Sequence, residues 1–179
     1  GRGYKFKIPK VEYSNFVGNF PYRETLDQTK VAKDIIDDLS SDIFMDRLVC
    51  GDVGFGKTEI ALRAAFIAVH NNKQVAVLVP TTILAQQHFE TFIDRFSSEP
   101  IQIELLSRFR SASELKKVID ALPNGRPDIV IGTHRLLQSD IDFRELGLII
   151  IDEEHRFGVR QKEKLKMFRG TVDTLSLTA

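Results

Sequence analysis

Between residues 51 and 59 the chain reads GDVGFGKTE, three glycines, a lysine and a threonine directly after the apolar run RLVC. The spacing is G-x-x-x-x-G-K-[ST], from Gly51 through Gly56 to Lys57 and Thr58. Gly51, Gly54 and Gly56 permit backbone angles closed to other residues, so successive amide N–H groups can turn inward around an anion. A helix opening near Lys57 adds its positive end. The loop Gly51, Asp52, Val53, Gly54, Phe55, Gly56, Lys57 and Thr58 is therefore a candidate cradle for the phosphates of ATP. Lys57 is placed to reach the β- and γ-phosphates and the Thr58 hydroxyl to ligate magnesium. A glycine turn that only joins a strand to a helix is the plainer alternative. The flanking RLVC and ALRAAFIAV supply the strand and helix that the phosphate reading demands.

A phosphate cradle by itself does not say what is done with the nucleotide. LIIIDEEH, residues 148–155, delivers two acids at the end of an apolar run. Asp152 is placed to hold magnesium, directly or through water, and Glu153 to orient and deprotonate an attacking water. An acidic turn capping a strand is the bland account; the cradle upstream favours hydrolysis. His155 is either the partner of a structural hydrogen bond or a relay out of the nucleotide site.

No N-K-x-D motif is present, so guanine is not the favoured base. FPYRETLDQ, residues 20–28, offers adenine a different reader: the Gln28 amide can accept from and donate to its edge. Thr25 with Gln28 is equally a capping box opening a helix at residues 26–39. Phe20 either stacks on the base or fills the core.

These groups need a scaffold that brings them to one edge. Short β-rich runs at residues 47–50, 75–79, 101–106, 128–132, 147–152 and 172–177 are each followed by polar punctuation. Helix-period stretches fill residues 57–70, 82–96, 113–122 and 159–168. Strands apolar on both faces, alternating with amphipathic helices, predict an α/β fold: a mostly parallel sheet with helices on both faces and ligands at the carboxyl ends of the strands. Residues 1–19 read as an extended lead-in, and 20–179 as one domain. Cys50 reads as a buried strand residue, and His70 and His88, inside helical patterns, as structural.

Lys plus Arg and Asp plus Glu both number 25, so no overall field draws the chain to nucleic acid, and any DNA contact must be a local patch. The one cysteine excludes an internal disulfide framework and fits a reducing, cytoplasmic setting. No apolar run reaches the roughly 18 residues that span a bilayer. A start without methionine and an end at LSLTA suggest a piece of a longer protein.

Read in order, FPYRETLDQ, GDVGFGKTE, VPTTILAQQ, GTHRLLQ, DEEHRFGVRQK and LSLTA resemble the Q motif and motifs I, Ia, Ib, II and III of superfamily 2 helicases and translocases. GDVGFGKTE, SRFRS and DEEHRFGVRQK are similar to the bacterial transcription-repair coupling factor family, double-stranded DNA translocases that push stalled RNA polymerase forward and recruit excision-repair proteins. The replication-fork-regression helicases are similar through the same segments, but usually carry glutamine at the place of Glu154 and a small residue at that of Phe55. The resemblance implies the first of two RecA-like lobes in a P-loop NTPase motor, with double-stranded DNA as its track. Motifs IV to VI, which supply the arginine finger from the second lobe, are absent. Such a finger is worth about 10³ to 10⁵ in rate in related NTPases, so this chain should bind ATP far better than it hydrolyses it.

Motifs Ia and Ib begin at strand ends and enter helices, so Thr81, Thr82, Thr133 and nearby amides can meet DNA phosphates without regard to sequence. Arg108, Arg110, His134 and Arg135 add to that track, or, for the arginines, are ordinary surface charges. RFGVRQKEKLKMFR reads mostly as a solvated helical face, with Arg156 and Arg160 as its exceptions. Two other classes stay open: a non-motor P-loop ATPase without a DNA track, and a nucleotide-sensing module that never hydrolyses.

Overall fold

A computed structural model describes residues 3–51 and 55–179. Six strands form one sheet: β1 (Asp46–Cys50), β2 (Gln74–Leu78), β3 (Ile103–Leu106), β4 (Ile129–Gly132), β5 (Leu146–Asp152) and β6 (Asp173–Thr178). Their spatial order is β1-β6-β5-β2-β4-β3, and every neighbouring pair is parallel. The helices are α1 (Lys10–Gly18), α2 (Leu26–Leu39), α3 (Phe55–His70), α4 (Thr82–Arg95), α5 (Ala112–Ala121) and α6 (Val159–Phe168).

The period of two along each strand sorts the core into two layers. Val75, Val77, Leu148 and Ile150 face one hydrophobic cluster, together with Phe16, Ile35, Phe66 and Phe92 from α1 to α4. Ala76, Leu78, Ile149 and Ile151 face the other, against Val118 of α5 and Leu165 of α6. Burial on both faces is why these strands read as continuous apolar runs. The expected parallel α/β sheet is thus the observed one.

Two expectations need correction. Residues 1–19 are not simply extended: α1 forms, and Phe16, 1% exposed, stacks on Phe66 and Phe96 with ring centroids 4.4 and 5.1 Å apart. One aromatic anchor holds this helix by tertiary contact, and its weak periodicity gave no local signal. Cys50 is exposed rather than buried, because β1 is the edge strand and presents Asp46, Leu48 and Cys50 on an open side.

Asp173, at the start of β6, is 2% exposed and accepts the Met45 N–H at 2.6 Å. Burial pushes its carboxyl up from 3.8 to about 6, against the opposing pull of the Met45 hydrogen bond. The folded state therefore keeps a proton that the unfolded chain releases between about pH 4 and pH 6, and stability falls as pH rises through that window. Asp173→Asn keeps the acceptor and is always neutral. Its melting temperature should match that of the wild type near pH 4 and exceed it at pH 7; equal values at both would remove the burial penalty.

Candidate nucleotide site and nucleic-acid interface

The two halves of the candidate nucleotide site start on either side of β6. Cys50, the last residue of β1, pairs in register with Thr178, and Asp152, the last residue of β5, with Leu177. Gly51 N–H then donates to Thr178 O at 3.2 Å and Glu153 N–H to Leu177 O at 2.9 Å. Neighbouring strands lie about 4.8 Å apart, so the cradle and the acidic turn leave the sheet roughly 10 Å from one another. Asp52, Val53 and Gly54 lie outside the described residues, as does the side chain of Phe55. Gly56, Lys57 and Thr58 occupy the first turn of α3.

A cavity of about 500 Å³ opens beside this turn, lined by Phe20, Gln28, Cys50, Gly51, Gly56 and Lys57 among others. It sets Gly51, Gly56 and Lys57 of the candidate cradle beside the candidate base readers Phe20 and Gln28. The hydrogen bonds of Gln28 are those of the capping-box reading. Its Oε1 accepts the Thr25 N–H at 2.8 Å and its own N–H donates to Thr25 Oγ1 at 3.2 Å, completing the capping box of α2. Its amide also packs on Gly56, where an added Cβ would stand 3.1 Å from Gln28 Cδ. Glycine is needed there for that approach. Phe20 is half-buried, edge-on to Tyr22 at 5.4 Å between centroids.

The acidic turn is a 3-10 segment, Glu154–Arg156, entered through Glu153 in the left-handed conformation, φ 52° and ψ 51°. A non-glycine residue holds that conformation only where its surroundings impose it. His155 is exposed, and its Nδ1 lies 3.4 Å from Glu153 Oε2. Asp152 is buried, and its Oδ2 lies 2.8 Å from Nε2 of His88 on α4. Glu154 is gripped on both oxygens by Arg169, which also reaches Ser176 Oγ at 3.2 Å and Asp46 Oδ1 at 3.3 Å. Sequence reading missed both partners: His88 was placed as structural, and Arg169, the last residue of RFGVRQKEKLKMFR, was read with that run as a solvated face.

Among the described residues no cluster of three or more His, Cys, Asp or Glu side chains could cage a metal. Magnesium needs none here, since it keeps waters and takes one or two protein oxygens alongside substrate phosphates. Thr58 and Asp152 fit that requirement.

A second cavity, of about 570 Å³, lies at the carboxyl ends of β2, β3 and β4. Thr81, Thr82, Arg108, Thr133, His134 and Arg135 all line it, so six of the seven residues assigned to a DNA track share one surface. The seventh, Arg110, does not. It is tied to Glu104 at 2.5 Å, Glu114 at 3.3 Å and the Leu105 carbonyl at 3.1 Å. Arg135 makes a two-pronged contact to Asp140, at 2.7 and 2.6 Å, while Arg108 is exposed. The Thr81 hydroxyl caps α4, accepting the Leu84 N–H at 3.2 Å. Arg156 and Arg160 are both exposed and line neither cavity.

Residues 25–179 match the DEAD/DEAH box helicase family. The chain belongs to that family. Over nearly its whole length this helicase lobe is similar to the transcription-repair-coupling factors of Haemophilus influenzae, 57% identical over 178 residues, and of Escherichia coli K12, 56% over 177. The match covers 99% of this chain but only 16% and 15% of those relatives. The coupling-factor resemblance of the motifs therefore extends through the residues between them. Among solved structures, RecG bound to a three-way DNA junction is 39% identical with a TM-score of 0.86, covering 99% of this chain and 24% of that one. The UvsW helicase of bacteriophage T4, at 16% identity, TM-score 0.66 and coverage of 97% and 61%, shares the fold. The RecA-like class of the fold follows. No helix among the described residues is long and apolar enough to cross a membrane.

Proposed function

We propose that this chain is the ATP-binding lobe of a double-stranded DNA translocase that displaces stalled RNA polymerase and couples transcription to excision repair. The observation that carries the motor reading is the placement of both cavities at the carboxyl edge of one sheet. The first, beside β1, joins Gly56 and Lys57 to Gln28; the second, beyond β2, gathers three threonines and two arginines. Helix α4 is capped at the second by Thr81 and touches Asp152 with His88. RNA polymerase and repair proteins are implied by the coupling of transcription to repair for which the relatives are named, and would bind through parts of the protein outside this lobe.

In this reading the cradle amides and Lys57 hold the triphosphate, and Gln28 and Phe20 address adenine. Glu153 takes the proton of the attacking water. Thr58 and Asp152 would hold magnesium, which when bound would neutralise charge at the phosphates. Thr82, Thr133, His134 and Arg108 meet DNA phosphates, which carry no sequence information and so suit a motor. A second RecA-like lobe closes on this one with ATP and reopens after hydrolysis, turning closure into a step along the duplex.

The test is ATP binding by this chain, together with duplex-stimulated turnover by the two-lobed protein. Lys57→Ala should weaken magnesium-dependent ATP uptake about 10- to 100-fold, the range of about 1.5–3 kcal/mol for hydrogen bonds to a charged group. It should also abolish the stimulation by duplex. Calorimetric titration giving wild-type affinity in that variant would refute the cradle assignment, and ATP turnover indifferent to duplex would refute the track.

A further inference from the structure

Asp152 ends β5 with one of its two oxygens already engaged. Oδ2 lies 2.8 Å from Nε2 of His88, a residue 64 positions away in sequence, and both side chains are only 12% exposed. Among the described residues no protein donor meets Oδ1. The imidazole is itself held from behind: Phe92, fully buried one turn further along α4, meets its ring edge-on at 6.5 Å between centroids. A carboxylate that ligates a cation can only accept, so Nε2 is the nitrogen that carries the hydrogen.

We infer that His88 is a positioning residue for the magnesium acid: its Nε2–H pins Asp152 Oδ2, so that Asp152 presents Oδ1 alone to the cation accompanying the nucleotide. This rests on the nucleotide reading above. Magnesium demands near-octahedral geometry, keeps several waters and takes a carboxylate through a single oxygen. A carboxylate free to rotate would offer either oxygen, or both, and would spend part of its time in the wrong pose. Donors behind a metal-ligating group typically carry a 10- to 100-fold share of metal affinity or activity. The helix that supplies this donor is also the one whose first turn faces the threonine and arginine cavity, six residues or about 9 Å along the axis from Thr82 to His88. The acid and the candidate DNA surface are therefore tied to one rigid element.

The experiment is titration of this chain with a fluorescent ATP analogue, with and without magnesium, and the readout is the ratio of the two affinities rather than turnover. His88→Leu keeps the apolar contact to Phe92 and removes the donor. The magnesium-dependent tightening should shrink about tenfold, with magnesium-free affinity unchanged. His88→Gln, whose amide nitrogen reaches the Nε2 position, should restore the ratio to within about threefold of wild type. His88→Asn, one bond shorter, should not, which keeps the test decisive if the leucine variant fails to fold. A wild-type ratio in the leucine or asparagine variant would overturn the role of His88, as would a glutamine variant as deficient as they are. If the wild-type chain binds no analogue at all, the nucleotide reading falls and this inference with it, an outcome distinct from the other two.

Discussion

Glu153→Gln in the two-lobed protein is expected to lose DNA-stimulated ATP turnover by about 10² to 10⁴, the usual worth of a positioned general base, while ATP binding stays within about twofold. The geometry isolates that effect. Glu153 holds φ 52°, a backbone conformation that costs a side-chain-bearing residue about 1–3 kcal/mol. Main-chain bonds hold it there, from its N–H to Leu177 O at 2.9 Å and from the Arg156 N–H to its carbonyl at 3.0 Å. Glutamine has the same shape and leaves both bonds in place, so the turn and its neighbour Asp152 should not move. Only the capacity to accept a proton is lost. Single-turnover kinetics and calorimetric binding of ATP separate the two quantities. Turnover retained in that variant would remove Glu153 from its role, whereas turnover and binding lost together would show the substitution to be structural.

The contrast between Glu153 and its neighbours shows what the sequence could disclose. The candidate cradle, acidic pair and threonines could be picked out because each is a short run whose residue types and spacing suit the proposed chemistry. The parallel sheet was legible because β2, β4 and β5 are apolar on both faces. What was not legible depends on neighbours distant in the chain. His88 looks like any histidine on a helix until α4 is packed beside the end of β5, and the separation of 64 residues leaves no local trace. Arg169 closes on Glu154 only because α6 returns the chain to β6, which lies against β5. Cys50 was misplaced for the same reason: strand order, not strand composition, decides which strand is the edge. Arg110 shows the converse, since Glu104 and Glu114 were visible at six and four residues' distance, yet only the turn geometry made them its partners.

The largest stability effect is expected at Glu59, the residue directly after Thr58 on α3 and 3% exposed. Its Oε2 accepts from Arg63 Nε and Arg95 Nη2, both at 2.8 Å, and its Oε1 from Arg95 Nε at 2.8 Å. Arg63 has a second acid in Glu24, at 2.8 Å; among the described residues Arg95 has no second acid, but the Phe16 carbonyl at 2.6 Å and the rings of Phe16 and Phe20, 3.9 and 5.9 Å from its guanidinium carbon. Arg95 Nη1 is already buried without a hydrogen-bond partner. Removing one member of a buried ionic cluster strands the others, at about 3–5 kcal/mol, a large share of the roughly 5–15 kcal/mol that stabilises a domain. Glu59→Leu should therefore lower the urea midpoint steeply without changing the slope. Adding Arg95→Met should recover part of the loss, because the stranded guanidinium goes with it and Met can still lie against Phe16. Since Arg63 retains Glu24, recovery should be smaller when Arg63→Met is the second change. An unfolding free energy within about 1 kcal/mol of wild type for Glu59→Leu would mean that water reaches the cluster. The cluster joins α3 to α4 and α1 through Glu59, two residues beyond Lys57, so the variant that loosens it should also blunt nucleotide uptake at temperatures where the lobe is still folded.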